Sequence, residues 1–164
     1  MNNLYFKNPR LIYGAISFAI AIFVFWHTGL AYAAEATLSL SPGSGTFNMG
    51  DTFSVKVMVE TDGSSINAAE VKLSFDKSIL QVVSVSKDGS AFSLWTIEPA
   101  FSNSEGVIDF GGGNPKPFSS KSSLANIVFK SLKTGDAKVD FVSGSVLAAD
   151  GKGTDILSQK VPGS

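Results

Sequence analysis

From residue 37 onward the chain is a succession of short runs in which apolar and polar side chains alternate, each run closed by Gly, Ser, Asn or Asp. A period of two sets one face of an extended segment against a core and leaves the other in water. Repeated with turn residues between the runs, it specifies an all-β sandwich or barrel and leaves no convincing helix. Thr37–Ser41 places Leu38 and Leu40 on one side before Pro42-Gly43-Ser44-Gly45 breaks it. Phe53–Val59 sets Phe53, Val55, Val57 and Val59 against Ser54, Lys56 and Met58, and Ile66–Phe75 sets Ala69, Val71, Leu73 and Phe75 against Ala68, Glu70, Lys72 and Ser74. Further strands are predicted at Ile79–Val85, Phe92–Ile97, Val107–Phe110 and Leu124–Leu132. Ala137–Val142 and Ser145–Ala149 follow as two strands about a bend at Gly144, and Thr154–Leu157 closes the series. The stretch Gly111–Pro117, with three glycines and two prolines, reads as a loop with little scope for pairing. The count is about nine strands. Their inward positions predict a core of Val55, Val57, Val71, Leu73, Phe75, Leu80, Val82, Ile108, Phe110, Ile127, Phe129, Val139 and Phe141.

The first 33 residues follow other rules. Lys7 and Arg10 precede an apolar run, Leu11–Trp26, and then come His27-Thr28-Gly29 and Ala31-Tyr32-Ala33. A basic start, an apolar stretch and an A-x-A site are the parts of a secretory signal peptide, here cut after Ala33. The run is shorter than the roughly 20 residues that span a bilayer comfortably. An uncleaved N-terminal anchor is the rival reading, and only then would the protein meet a membrane. The expected organisation is therefore a leader over 1–33, one sandwich domain over 34–158 and a polar tail or linker start over 159–164, with the protein secreted or at the cell surface.

Without the leader the chemical inventory is short. The one histidine, His27, all three tyrosines and Trp26 lie within it, and the chain has no cysteine. Catalytic arrangements built on imidazole or thiolate are excluded, as are zinc sites built on His and Cys. Setting aside Lys7 and Arg10 leaves 11 basic residues of 13 against 14 acidic ones, a net charge of −3. No basic footprint for nucleic acid is present. No enzyme activity, cofactor or metal is expected.

Several segments in order resemble the cohesin domain family. Val71-Lys72-Leu73-Ser74-Phe75-Asp76-Lys77-Ser78 followed by Ile79-Leu80-Gln81-Val82-Val83-Ser84-Val85 is similar to its central strand, turn and valine-rich strand. Gly50-Asp51-Thr52-Phe53, Ile66-Asn67-Ala68-Ala69, Leu124-Ala125-Asn126-Ile127-Val128-Phe129 with Gly135, and Val146–Ile156 resemble further family segments. The resemblance implies a nine-stranded jelly-roll sandwich that docks dockerin-bearing or other extracellular proteins, usually in assemblies that degrade polysaccharide. This chain carries a single copy, without the repeated modules and linkers of the family's long scaffolds.

By that resemblance the partner-binding face would use Ala68, Glu70, Lys72 and Ser74, with neighbours such as Asp109 and Trp95 from the strands beside them. An ordinary solvated sheet face is the simpler reading of the same pattern. Trp95 suits either a binding hot spot or packing beneath the Gly111–Pro117 stretch. If Trp95 were exposed and coplanar with Phe92 and Phe118, direct polysaccharide binding would be the alternative function. Asp150-Gly151-Lys152-Gly153-Thr154-Asp155 loosely resembles a calcium loop, but it lacks the necessary oxygen ligands and reads as a hairpin turn. Glu98, Glu105 and Asp109 read as surface charges rather than a glycosidase pair.

Overall fold

Period-two alternation becomes nine strands in the computed structural model, which describes residues 34–164. They are β1 (Ala36–Ser41), β2 (Thr52–Thr61), β3 (Ile66–Phe75), β4 (Leu80–Ser86), β5 (Leu94–Ser102), β6 (Val107–Phe118), β7 (Ser122–Ser131), β8 (Val139–Ala148) and β9 (Leu157–Val161). One sheet has the order β4-β7-β2-β1-β9 and the other β5-β6-β3-β8. All pairs are antiparallel except β1 with β9. The leader expected over 1–33 lies outside the described residues.

The sheets enclose one apolar layer. Its largest fully buried side chains include Phe110, Phe129, Leu38, Ile66, Leu73, Ile108, Leu124 and Ile127. Of the predicted core only Phe141 stands partly out, packed against the cluster rather than inside it. The Phe129 ring lies 5.8 Å from Phe53 and 5.7 Å from Phe75, the latter edge-on. Phe47, from the loop after β1, stacks on Phe53 with ring centroids 3.7 Å apart. Edge-on and offset aromatic pairs add to the burial of their area. The turn into β6 depends on Gly106, at φ +73°, where an added Cβ would stand 2.7 Å from the Phe75 carbonyl oxygen.

Three predicted elements are corrected. The Gly111–Pro117 stretch is not a loop: β6 runs through it to Phe118, pairing Gly111, Gly112 and Gly113 with both β3 and β5. Bare glycines let the strands close in, since a Cβ on Gly112 would meet the Leu94 carbonyl oxygen at 2.5 Å and one on Gly113 the Asn67 carbonyl oxygen at 2.4 Å. Ala137–Val142 and Ser145–Ala149 are one strand, β8, which passes through Gly144 without a break. That glycine makes room rather than a bend, because a side chain there would press on Leu38 at 2.9 Å. The closing strand lies later than Thr154–Leu157, and residues 159–164 are no free tail. Gln159, Lys160 and Val161 pair with β1, and Gly163 and Val139 exchange both backbone hydrogen bonds at 3.0 Å. An open sheet edge leaves backbone N–H and C=O groups unpaired, and covering it recruits even a polar segment.

Candidate protein-docking face

The register across β5, β6, β3 and β8 sorts their outward side chains into four rows. Leu94, Gly113, Ala68 and Leu147 form the first, and Ile97, Gly111, Glu70 and Ser145 the second. Ala100, Asp109, Lys72 and Ser143 form the third, and Ser102, Val107, Ser74 and Asp140 the fourth. The opposite parity of β3 and β6, with Val71, Leu73, Ile108 and Phe110, fills the core. Five of the six predicted contact residues, Ala68, Glu70, Lys72, Ser74 and Asp109, therefore share one face.

Two properties distinguish this face from a merely solvated one. Its centre is low, because Gly111, Gly113 and Ala68 carry almost no side chain, while Leu94 and Ile97 stand exposed along the β5 edge at 59% and 38%. Its charges are also uncommitted. The two ion pairs among the described residues, Lys87 with Glu98 and Lys121 with Glu60, involve none of Glu70, Lys72, Asp109 or Asp140. The patch thus joins small and apolar residues to charges that are free of ion pairs, three of them on its two central strands. Sequence reasoning missed Leu94, Ile97, Gly111, Gly113 and Leu147. Parity held the signal for the glycines: Val107, Asp109, Gly111 and Gly113 are successive outward positions of one strand.

Trp95 is the sixth predicted contact residue, and it does not belong to this face. It stands opposite Gly112, itself opposite the buried Ala69, so it lies on the core side of the sheet. Its ring meets Phe92 edge-on at 5.4 Å and Phe110 at 6.3 Å, and Lys87 Nζ sits 5.1 Å from its centre. Phe92 is itself buried and inclined 78° to Trp95, so the coplanar aromatic platform required for the polysaccharide alternative is not formed.

The remaining candidates are structural. Asp150 accepts hydrogen bonds from the Lys152 N–H and the Thr154 hydroxyl, and the Thr154 hydroxyl does most to hold its carboxyl below the ordinary value. Asp155 accepts the N–H groups of Val146 and Leu157 at 2.9 and 3.0 Å. Both carboxylates thus serve the hairpin. Among the described residues, no three of His, Cys, Asp and Glu are grouped so as to hold a metal ion. Glu98 is occupied by Lys87, and Asp109 stands on an open sheet.

A family profile described as the cohesin domain matches residues 38–163, from β1 to beyond β9. The chain belongs to the cohesin domain family. No curated protein matches it significantly. Among solved structures, a type I cohesin–dockerin complex from Clostridium thermocellum, Coh-OlpC with Doc435, superposes with a TM-score of 0.64 at 14% identity, over 80% of this chain and 91% of that one. CaCohA2 of Clostridium acetobutylicum gives 0.61 at 21% identity, over 79% and 88%. A non-cellulosomal cohesin from the archaeon Archaeoglobus fulgidus gives 0.61 at 17%, also over 79% and 88%. At these identities the likeness is one of fold. This cohesin therefore keeps the two-sheet sandwich while most of its surface positions differ from those relatives.

Proposed function

We propose that this cohesin is the receptor half of a protein–protein pair. It acts outside the cytoplasm as a non-catalytic module, and its β5-β6-β3-β8 face docks dockerin-type modules on other exported proteins, including enzymes that degrade polysaccharide. The observation that carries this reading is the convergence of Ala68, Glu70, Lys72, Ser74 and Asp109 on one open face whose centre is glycine and alanine. The dockerin complex solved for the Clostridium thermocellum relative supports it, as does the leader-like composition of residues 1–33.

The test is capture by the full chain, immobilised, from the culture supernatant of its own organism, with and without calcium, alongside insoluble polysaccharides. Calcium-dependent retention of a dockerin-bearing protein, lost in the Glu70→Lys, Lys72→Glu double variant, is the expected result. Retention on polysaccharide alone, unaffected by that variant, would overturn the proposal.

A further inference from the structure

At the end of the sandwich where β1 leads into β2 and β7 into β8, the core leaves a cleft. It lies between the loops 42–47 and 133–138 and measures about 740 Å³, within the roughly 300–1,000 Å³ of small-molecule sites. Its floor is the buried side chains of Leu40, Val55, Leu80 and Val139. Ser131 lies among them, at the inward position that follows Ile127 and Phe129 on β7. At 5% exposure it is the one polar residue buried outright among the described residues. Its hydroxyl donates to the Lys133 carbonyl oxygen at 3.3 Å, longer than the usual range of about 2.5–3.0 Å for a hydroxyl donor. A small polar side chain where the alternation calls for a large apolar one opens the cleft and sets a hydrogen-bonding group on its floor. The walls are aromatic. The Phe47 ring lies flat on Phe53, inclined by 4° and 36% exposed. Gly45 admits that ring, since a Cβ there would stand 2.7 Å from its edge. Among the described residues, 44–47 make no backbone hydrogen bond, so stacking rather than the main chain holds Phe47 in place. The mouth carries both signs, Lys133 and Lys138 against Asp136, and Lys133 lies near enough to Asp76 to act on its charge. An ion entering the cleft meets opposing charges; a neutral molecule does not.

We infer that this cleft is a binding site for a small uncharged aromatic compound bearing one hydroxyl, of the phenol class. Its ring packs against Phe47 and Phe53 over the aliphatic floor, and its hydroxyl pairs with Ser131. The Ser131 hydroxyl gives its proton to the Lys133 carbonyl and keeps its acceptor capacity, which a phenolic O–H can use. Ring against ring adds to the burial of area, so an aliphatic alcohol of the same size keeps the hydrogen bond and loses that gain. None of the four rows of the docking face contributes to the cleft, and the inference does not depend on dockerin docking.

The test is an amide NMR titration of the full chain with phenol, and with cyclohexanol as the non-aromatic control. Phenol is expected to give saturable shifts confined to residues 42–47, Phe53 and residues 131–139, with cyclohexanol several-fold weaker. Ser131→Ala is expected to weaken phenol roughly 2- to 10-fold, the range for a neutral hydrogen bond. Phe47→Ala is expected to weaken it as well, and Ser131→Leu, which sets a larger side chain on the floor, to abolish the shifts. Thermal melts show whether each variant keeps the fold; should Ser131→Leu lose it, the two milder changes decide. Shifts that do not saturate, that scatter over the surface, or that cyclohexanol reproduces in full would overturn the inference. So would an affinity for phenol left unchanged by both Ser131→Ala and Phe47→Ala.

Discussion

Replacing Gly112 by alanine tests the account of the triglycine stretch. The new Cβ would point into the sandwich, 2.5 Å from the Leu94 carbonyl oxygen and 2.9 Å from Phe92 Cδ2. Ordinary contact begins at 3.4 Å, so the Leu94 backbone must retreat by about 0.9 Å. That backbone belongs to β5, an edge strand held in place by its pairing with β6, and Phe92 is buried. Overpacking of this sort costs roughly 1–3 kcal/mol. The stiffer unfolded chain that alanine brings offsets about 0.4–1 kcal/mol of it. A net loss of about 1–2 kcal/mol corresponds to a fall in Tm of roughly 3–10 °C for a domain of this size. Gly111→Ala is the matched control: its Cβ meets Glu70 Cγ at 2.9 Å, and Glu70 is exposed and free to swing aside. Thermal melts followed by circular dichroism on the two variants and wild type suffice. Wild-type melting of Gly112→Ala, or a larger loss for Gly111→Ala, would refute the claim that Gly112 is a slot for β5 and Phe92.

Phe75→Ala removes a ring packed edge-on against Phe129 and should cost about 3–5 kcal/mol in urea unfolding. Truncation after Leu157 should lower the melting temperature, because it strips the strand that covers β1 and the Gly163–Val139 hydrogen bonds; an unchanged melt would return these residues to the status of a tail. Asp76 is held below the ordinary carboxylate value chiefly by the Ser78 hydroxyl and then by the Ser78 N–H. A depressed folded-state value means that its contribution is complete above the unfolded value of about 3.9 and fades as pH falls through the lower, folded one. Asp76→Ala should therefore melt below wild type at neutral pH, with the difference shrinking under acid; a difference independent of pH would show that the turn does not depend on the charge.

The fold was legible wherever burial imposed strict alternation. In β2, β3 and β7 one face is dry and the other wet, so parity alone identified Val55, Val57, Val71, Leu73, Ile127 and Phe129 as inward. Legibility failed where tertiary contacts overrule local chemistry. Glycine is disfavoured in strands, yet Gly111–Gly113 and Gly144 are tolerated because the neighbouring backbone and side chains need their space. The polar run Ser158-Gln159-Lys160 carries no strand signal of its own, and only the open edge of β1 makes it one. At the candidate face, β3 was readable because its outward row is polar. Trp95 was not, since a half-buried aromatic on an edge strand has the same local sequence whichever way it points.

The one parallel pairing has a mechanical consequence. β1 and β9 run in the same direction, Ala36 beside Leu157 and Ser39 beside Val161, so the two ends of this domain leave the sandwich at opposite poles. Tension applied through them pulls along the β1–β9 seam and loads its hydrogen bonds together in shear, whereas a hairpin pulled from one end opens them singly like a zip. The domain is thereby fastened along the line on which tension between its two ends would stretch it.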